Sequence, residues 1–149
     1  MRLSRRAQYA LCGIFDLAYN GAGEPVRVQA IGARQQIPQR FLEQIFQRLR
    51  KAGLVRGKRG PGGGYVLSRP PEQISLREVF EAVEGSLDRR AVLDLESWPE
   101  SLHRPDFLWP DLAERMGSVL SEIAVSDVCR EAVRRSVERE LPDTLDYQI

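Results

Sequence analysis

The chain contains a single histidine, His103, and only two cysteines, Cys12 and Cys129, which lie near opposite ends of its 149 residues. One histidine with no paired nucleophile and base leaves little for acid–base or covalent catalysis, so an enzyme is not expected. Two distant thiols make no disulfide framework, and they suit a reducing cytoplasm. No apolar run approaches the ~20 residues that a membrane span needs, and none follows the basic start Met1 to Arg6. Neither a membrane segment nor a secretion signal is therefore predicted. A hydrophobic content of 42% is enough for a real core and argues against wholesale disorder. The length fits one domain, or one domain with a helical appendage.

The net charge of +1 conceals a strong polarity. Met1 to Arg69 carries 13 lysines and arginines against 3 acidic residues, a balance of +10. Pro70 to Ile149 carries 9 against 18, a balance of −9. Such a basic half should seek a polyanion, while the acidic half stays clear of it. Two differently decorated solvated faces would give the same numbers, so the motifs must decide.

Ser4 is a candidate helix cap, and Ala7, Leu11, Ile14, Phe15 and Ala18 recur at helical steps behind it. Asn20 to Pro25 ends this first helix, because Asn, Gly and Pro favour turns. A short helix is predicted over about Val28–Gln35, and a third from about Pro38 to Ala52 with Phe41, Leu42, Ile45, Phe46 and Leu49 as its apolar stripe and Gly53 as its cap. Helix, tight turn, helix is the helix-turn-helix pattern. The other face of the third helix carries Gln39, Arg40, Glu43, Gln44, Gln47 and Arg48, side chains able to address base edges.

Leu54 to Arg59 then reads as a strand, followed by Gly60-Pro61-Gly62-Gly63-Gly64 and Tyr65-Val66-Leu67. This is a β-hairpin with a glycine-rich tip, and Lys58 and Arg59 charge that tip. Glycines allow close backbone approach, and an arginine there suits a narrow minor groove. A phosphate-binding loop fails on detail, since the lysine precedes the glycines and no Gly-Lys-Ser/Thr opens a helix. Beyond Arg69-Pro70-Pro71, a helix with Leu76, Val79, Phe80 and Val83 is predicted to end at Gly85. From Asp106 a long helix is predicted, with Leu108, Leu112, Met116, Val119, Leu120 and Ile123 in one stripe. A stripe outside the first domain needs a partner to bury it, and the same helix of a second copy is the candidate. A last helix is predicted from about Ser126 to Leu141, with a frayed end.

The segment Phe41 to Val55, continuing through Arg59-Gly60-Pro61-Gly62-Gly63-Gly64-Tyr65, strongly resembles the IscR/NsrR/CymR family of bacterial winged helix-turn-helix regulators (Rrf-two type). Leu3-Ser4 with Tyr9-Ala10, Ile74 to Gly85, and Leu108-Trp109 through Ile123 agree with it, so that the resemblance spans residues 1 to about 128. It implies a mainly α fold with a small β-hairpin wing, divided into a DNA-binding domain (1–85), a linker or effector loop (86–105) and a dimerisation region (106–149). It further implies a cytoplasmic homodimer that binds double-stranded DNA at an imperfect palindrome, most often as a repressor. Matching the family's DNA readers are Gln39, Arg40, Phe41, Glu43 and Gln44, with Arg59 flanked by Gly60 and Gly62 on the wing. Ser4, Arg5 and Gln29 are candidates for phosphates, and Arg48, Lys58, Gly63 and Tyr65 complete the expected DNA-binding set.

The departure from the family is chemical. Many members hold an iron–sulfur cluster with three closely spaced cysteines between the post-wing helix and the dimerisation helix, but this chain has none from Gly85 through Val128. No cofactor is therefore expected; a non-standard cluster would need Cys12 with His103 or Asp106. Trp98, Phe107 and Trp109 near the long helix fit interface packing, or alternatively the walls of a small-molecule effector pocket. Two alternatives to a ligand-controlled regulator remain open here: a redox or metal sensor built on Cys12, and control by a partner enzyme docking on the acidic half.

Overall fold

A computed structural model describes residues 3–87 and 102–140. The predicted effector-loop residue Trp98 and the last residues of the chain lie outside that set. In chain order the elements are α1 (Arg5–Gly21), α2 (Val28–Gln35), α3 (Gln39–Lys51), β1 (Val55–Lys58), β2 (Gly64–Leu67), a 3-10 turn (Pro71–Gln73), α4 (Leu76–Glu84), α5 (Leu108–Ser121) and α6 (Val125–Arg134).

Helix α1 starts where expected: the Ser4 hydroxyl accepts from the Ala7 amide at 3.0 Å. Its apolar stripe, Ala10, Ile14 and Leu17, is buried against Leu42, Ile45, Phe46 and Leu49 of α3, with Ile31 of α2 completing the wedge. Each such aliphatic or aromatic side chain contributes about 1.5–3 kcal/mol on burial. The α2–α3 turn is tight because Gly32 lets the Ile37 carbonyl approach to where a Cβ would stand 2.8 Å away. Gln36 takes a left-handed φ of 55° there, and the Ile37 amide donates to Gly32 at 3.0 Å. Phe41, read in sequence both as part of the α3 stripe and as a DNA reader, faces outward; the helical repeat puts it one step before the buried Leu42.

Strands β1 and β2 pair antiparallel, with Val55 opposite Leu67 and Lys58 opposite Gly64. Helix α4 begins with a capping box between Ser75 and Glu78. Burial works against charge on Glu78, but the Ser75 amide, Arg69 and the Ser75 hydroxyl outweigh it and hold the carboxyl below its ordinary value of 4.5. A carboxylate lowered in this way contributes stability that is complete above its unfolded value and disappears as pH falls through its folded value. Glu78→Gln is therefore expected to cost roughly 0.5 kcal/mol near neutrality, a figure kept small by solvent screening. In urea unfolding followed against pH, the gap from wild type should close as the pH falls below 4.5; a gap independent of pH would refute the assignment.

Two helix ends differ from the sequence expectation. The stripe drawn through Ile123 outruns α5, which stops at Ser121; Ala124 is extended, and the Ser75–Ala124 bridge ties this segment to the start of α4. The Leu76 amide donates to Ile123 and the Val125 amide to Ile74, each at 2.8 Å. The last helix ends at Arg134 rather than Leu141. Ser136 turns left-handed with φ 57°, and the amides of Ser136 and Val137 reach back to Val133 and Ala132. That hydrogen-bond pair is a Schellman stop, which terminates a helix without glycine when the following chain is held elsewhere. Helix α5 lies on α4 through Ala113 and Gly117, its small residues. A Cβ on Gly117 would come within 3.1 Å of the Arg77 guanidinium. Its large residues Leu108, Leu112, Met116 and Val119 consequently remain exposed.

Candidate nucleic-acid interface

Helix α3 presents Gln39, Arg40, Glu43, Gln44, Gln47 and Arg48 to solvent because its opposite face is fixed in the core. A cleft flanks it on either side. The first, of about 360 Å³, lies between α3 and the first turn of α1 and is lined by Arg5, Arg6, Tyr9, Phe41, Gln44 and Arg48. The Tyr9 and Phe41 rings meet at 6.0 Å between centroids. Arg5 lies 5.9 Å from the Tyr9 ring, and Arg40 lies 4.8 Å from the Phe41 ring. These contacts hold the Arg5 guanidinium on the first turns of α1, whose helix dipole also favours an anion, and the Arg40 guanidinium on the Phe41 ring.

The second cleft, about 320 Å³, lies between α3 and the hairpin and includes Arg27, Gln29, Glu43, Lys58 and Gly60. The hairpin is fastened to the lead-in of α2: Val26 and Tyr65 exchange both backbone hydrogen bonds, at 2.9 and 2.8 Å. Tyr65 also packs its ring 4.9 Å from Phe46 in the core. The hairpin tip is turned by Gly60 at φ 92° and Gly62 at φ 72°. Gly63 is buried within the tip, where a Cβ would fall 2.3 Å from the Lys58 carbonyl. Lys58 and Arg59 project into solvent next to it.

The expected residues thus fall into three groups. Gln29, Gln39, Arg40, Phe41, Glu43, Gln44, Lys58 and Arg59 are exposed along α3, its flanking clefts and the hairpin tip, and Arg5 joins them through the first cleft. Gly63 and Tyr65 face inward and shape the hairpin. Ser4 and Arg48 are already engaged: the Ser4 hydroxyl donates to Glu84, and Arg48 donates to the Val83 carbonyl at 3.3 Å. Sequence reasoning passed over Arg6 and Arg27. The available signal was a basic residue in the first turn of α1 and another immediately before α2.

The Glu43 carboxylate accepts a hydrogen bond from the Gln39 amide at 2.7 Å. This i, i+4 pair fixes an acceptor in the middle of an otherwise basic surface.

Candidate metal donors were placed on Cys12, His103 and Asp106. The Asp106 carboxylate is bound by Arg104, whose side-chain hydrogen bond holds it below its ordinary value. Cys12 faces an apolar groove between α1 and α6, and burial, then the nearby Asp16, push its thiol up. Burial likewise pushes up Cys129, which packs against the core. Among the described residues, no group of three or more His, Cys, Asp or Glu side chains could hold a metal. Phe107 is exposed before α5, and Trp109 is half-buried in its first turn. Among the described residues, no helix is long and apolar enough to cross a membrane.

The sequence pattern of a family described as Rrf2, iron-dependent transcriptional regulator, matches residues 3–131. A Haemophilus influenzae protein described as an HTH-type transcriptional regulator is 37% identical over 150 residues, which cover 99% of this chain and 100% of that protein. The HTH-type transcriptional regulator IscR of Xenorhabdus nematophila is 38% identical over 131 residues, 87% of this chain and 80% of its own length. Among solved structures, T. potens IscR superposes with a TM-score of 0.73 at 30% identity, covering 89% of this chain and 88% of that one.

Proposed function

We propose, from the premise that the chain belongs to the Rrf2 family of DNA-binding transcriptional regulators, that it acts as a homodimer on a two-fold symmetric operator, with repression by occupancy as the outcome. In this reading α3 enters the major groove and the hairpin tip follows the adjacent minor groove. The observation that carries it is the pair of clefts on either side of α3, which place Arg5 and Arg6 on one side and Arg27 and Lys58 on the other. Cations on both sides of one helix suit two phosphate tracks bordering one groove. Gln44 and the Gln39–Glu43 pair lie between them as base readers. The exposed stripe of Leu108, Leu112, Met116 and Val119 supports self-association through α5.

Iron enters only through the family's description. A cluster is held by thiolates, and this chain offers two separated thiols, both pushed toward the protonated form, with Asp106 already committed to Arg104. That donor set does not fit an iron–sulfur cluster, so no step of the proposed function runs through one.

Selection from a pool of randomised duplexes tests the reading. Enriched sites should contain inverted half-sites separated by about one helical turn or a multiple of it, and light scattering should give twice the chain mass. A pool without enrichment would refute DNA reading, and a monomer bound to a single half-site would refute the dimer. Glu43→Ala is expected to relax base preference at one position of each half-site, since a fixed acceptor selects for a base donor. Sequencing of its selected pool should show that loss; an unaltered consensus would remove Glu43 from the readers.

A further inference from the structure

The chain leaves α6 as a short strap that runs onto the last turns of α1 and α2. The Tyr19 hydroxyl donates to the Val137 carbonyl at 2.8 Å. The Arg139 side chain donates to the Tyr19 carbonyl at 2.6 Å, and its guanidinium lies 5.2 Å from the Tyr19 ring. The Glu140 amide donates to the side-chain oxygen of the buried Asn20 at 2.7 Å. Finally, the Glu140 carboxylate accepts from Arg34 at 3.1 Å.

These partners are not scattered. Tyr19 and Asn20 form the last turn of α1, where carbonyls lack helical partners and a cation opposes the negative end of the dipole. Arg34 is in the last turn of α2, and its other donors hold Asp16 of α1. The strap thus grips the last turn of α1 and, through Arg34, the last turn of α2, just before Gln36 and the tight turn that launches α3. Four hydrogen bonds from Val137, Arg139 and Glu140, on partners more than 100 positions away, are more than is needed to stop a helix.

We propose that Val137–Glu140 is a positioning clamp for the helix-turn-helix: it fixes α2 against α1 and so sets the angle at which α3 meets DNA. The clamp touches no base or phosphate in this role. It rests on the DNA-reading function above. Its loss should lower affinity by misalignment, leaving the number of phosphate contacts unchanged.

The test compares wild type, R139A/E140Q, R139K and Y19F on the duplex that wild type selects. R139A/E140Q is expected to bind roughly tenfold more weakly, within the range of ordinary coupling between sites. R139K keeps a cation able to reach the Tyr19 carbonyl, so it should bind within about twofold of wild type. Y19F removes the hydroxyl bond to Val137 and keeps the ring stacked on Phe15, so an intermediate loss is expected. The slope of log affinity against log salt should be the same for all four, because each lost phosphate contact would lower it by about one. Affinity of R139A/E140Q equal to wild type overturns the clamp, and so does a lowered slope, which would make Arg139 a direct DNA contact. Amide hydrogen exchange on the free protein separates this from failure of DNA reading itself. With the clamp open, residues 18–23 and 33–36 should exchange faster than in wild type; unchanged exchange there overturns the proposal whether or not DNA binds.

Discussion

Arg59→Ala should weaken binding to the selected operator by roughly thirtyfold, about 2 kcal/mol for one charge-assisted contact in a confined groove. The size follows from where Arg59 stands. The hairpin tip is held firmly, because Gly63 is packed against the Lys58 carbonyl and the Val26–Tyr65 bridge ties the strand beside the tip to the lead-in of α2. An arginine on a fixed support is pre-ordered for the groove and spends little entropy on entry. The salt slope should fall by about one in the variant. Titrations of labelled duplex at several salt concentrations measure both quantities. Unchanged affinity at moderate salt would take Arg59 out of the interface and leave the wing as a purely structural hairpin.

Asp16→Ala is expected to be the most damaging single change to stability. Asp16 is fully buried and accepts from Arg34 at 2.7 Å and 3.0 Å and from Gln35 at 2.9 Å. Removing the carboxylate leaves a guanidinium and an amide without their acceptor in a partly buried site. The expected cost is about 3 kcal/mol, the low end for a broken buried pair because Arg34 retains some contact with water. For a chain of this size the unfolding midpoint should drop by about 6–12 °C. Replacing Asp16 and Arg34 together by apolar residues should recover most of the loss, since no uncompensated charge is then left behind. Calorimetry on the single and double variants decides the matter: a single variant within 1 °C of wild type would mean that water replaces the carboxylate, and that the pair holds nothing together.

What could be read in advance was whatever repeats locally. Ala7 and Ile14 mark α1, though the stripe drawn there passed over the buried Leu17, and Leu42, Ile45, Phe46 and Leu49 mark α3, because a helix must return the same face every 3.6 residues. The hairpin was legible from its glycines, since few other residues accept the backbone that Gly60 and Gly62 adopt. The family membership expected from α3 and the wing agrees with the match over residues 3–131. What escaped was long-range and polar. Nothing near Arg139 announces that its partner is the Tyr19 carbonyl, and nothing in the pattern around Ile123 announces that its carbonyl is claimed by Leu76. Periodicity therefore carried α5 and α6 past their true ends. Asp16 did leave a trace, as a lone acid between Phe15 and Leu17 in an otherwise apolar run, and a charge in that position calls for a buried partner. Gly63 and Tyr65 were expected to touch DNA, and the structure packs them into the hairpin and against Phe46; residue type alone does not separate a side chain that touches a ligand from one that holds the scaffold.

The short bridge between Ser75 and Ala124 has a bearing on synthesis. It joins the start of α4 to the start of α6, and Val125 just beyond it belongs to the same core as Ile14 and Phe46. As the polypeptide leaves the ribosome, the first five helical and strand segments can associate early, from contacts close in sequence. They nevertheless retain an unfilled seam along α1 until α6 emerges, because α6 and the residues leading into it supply both the missing apolar side chains and the backbone partners of Ile74 and Leu76. A nascent chain halted before residue 125 should therefore stay open to proteases and to other nascent chains, however complete its recognition surface looks on paper.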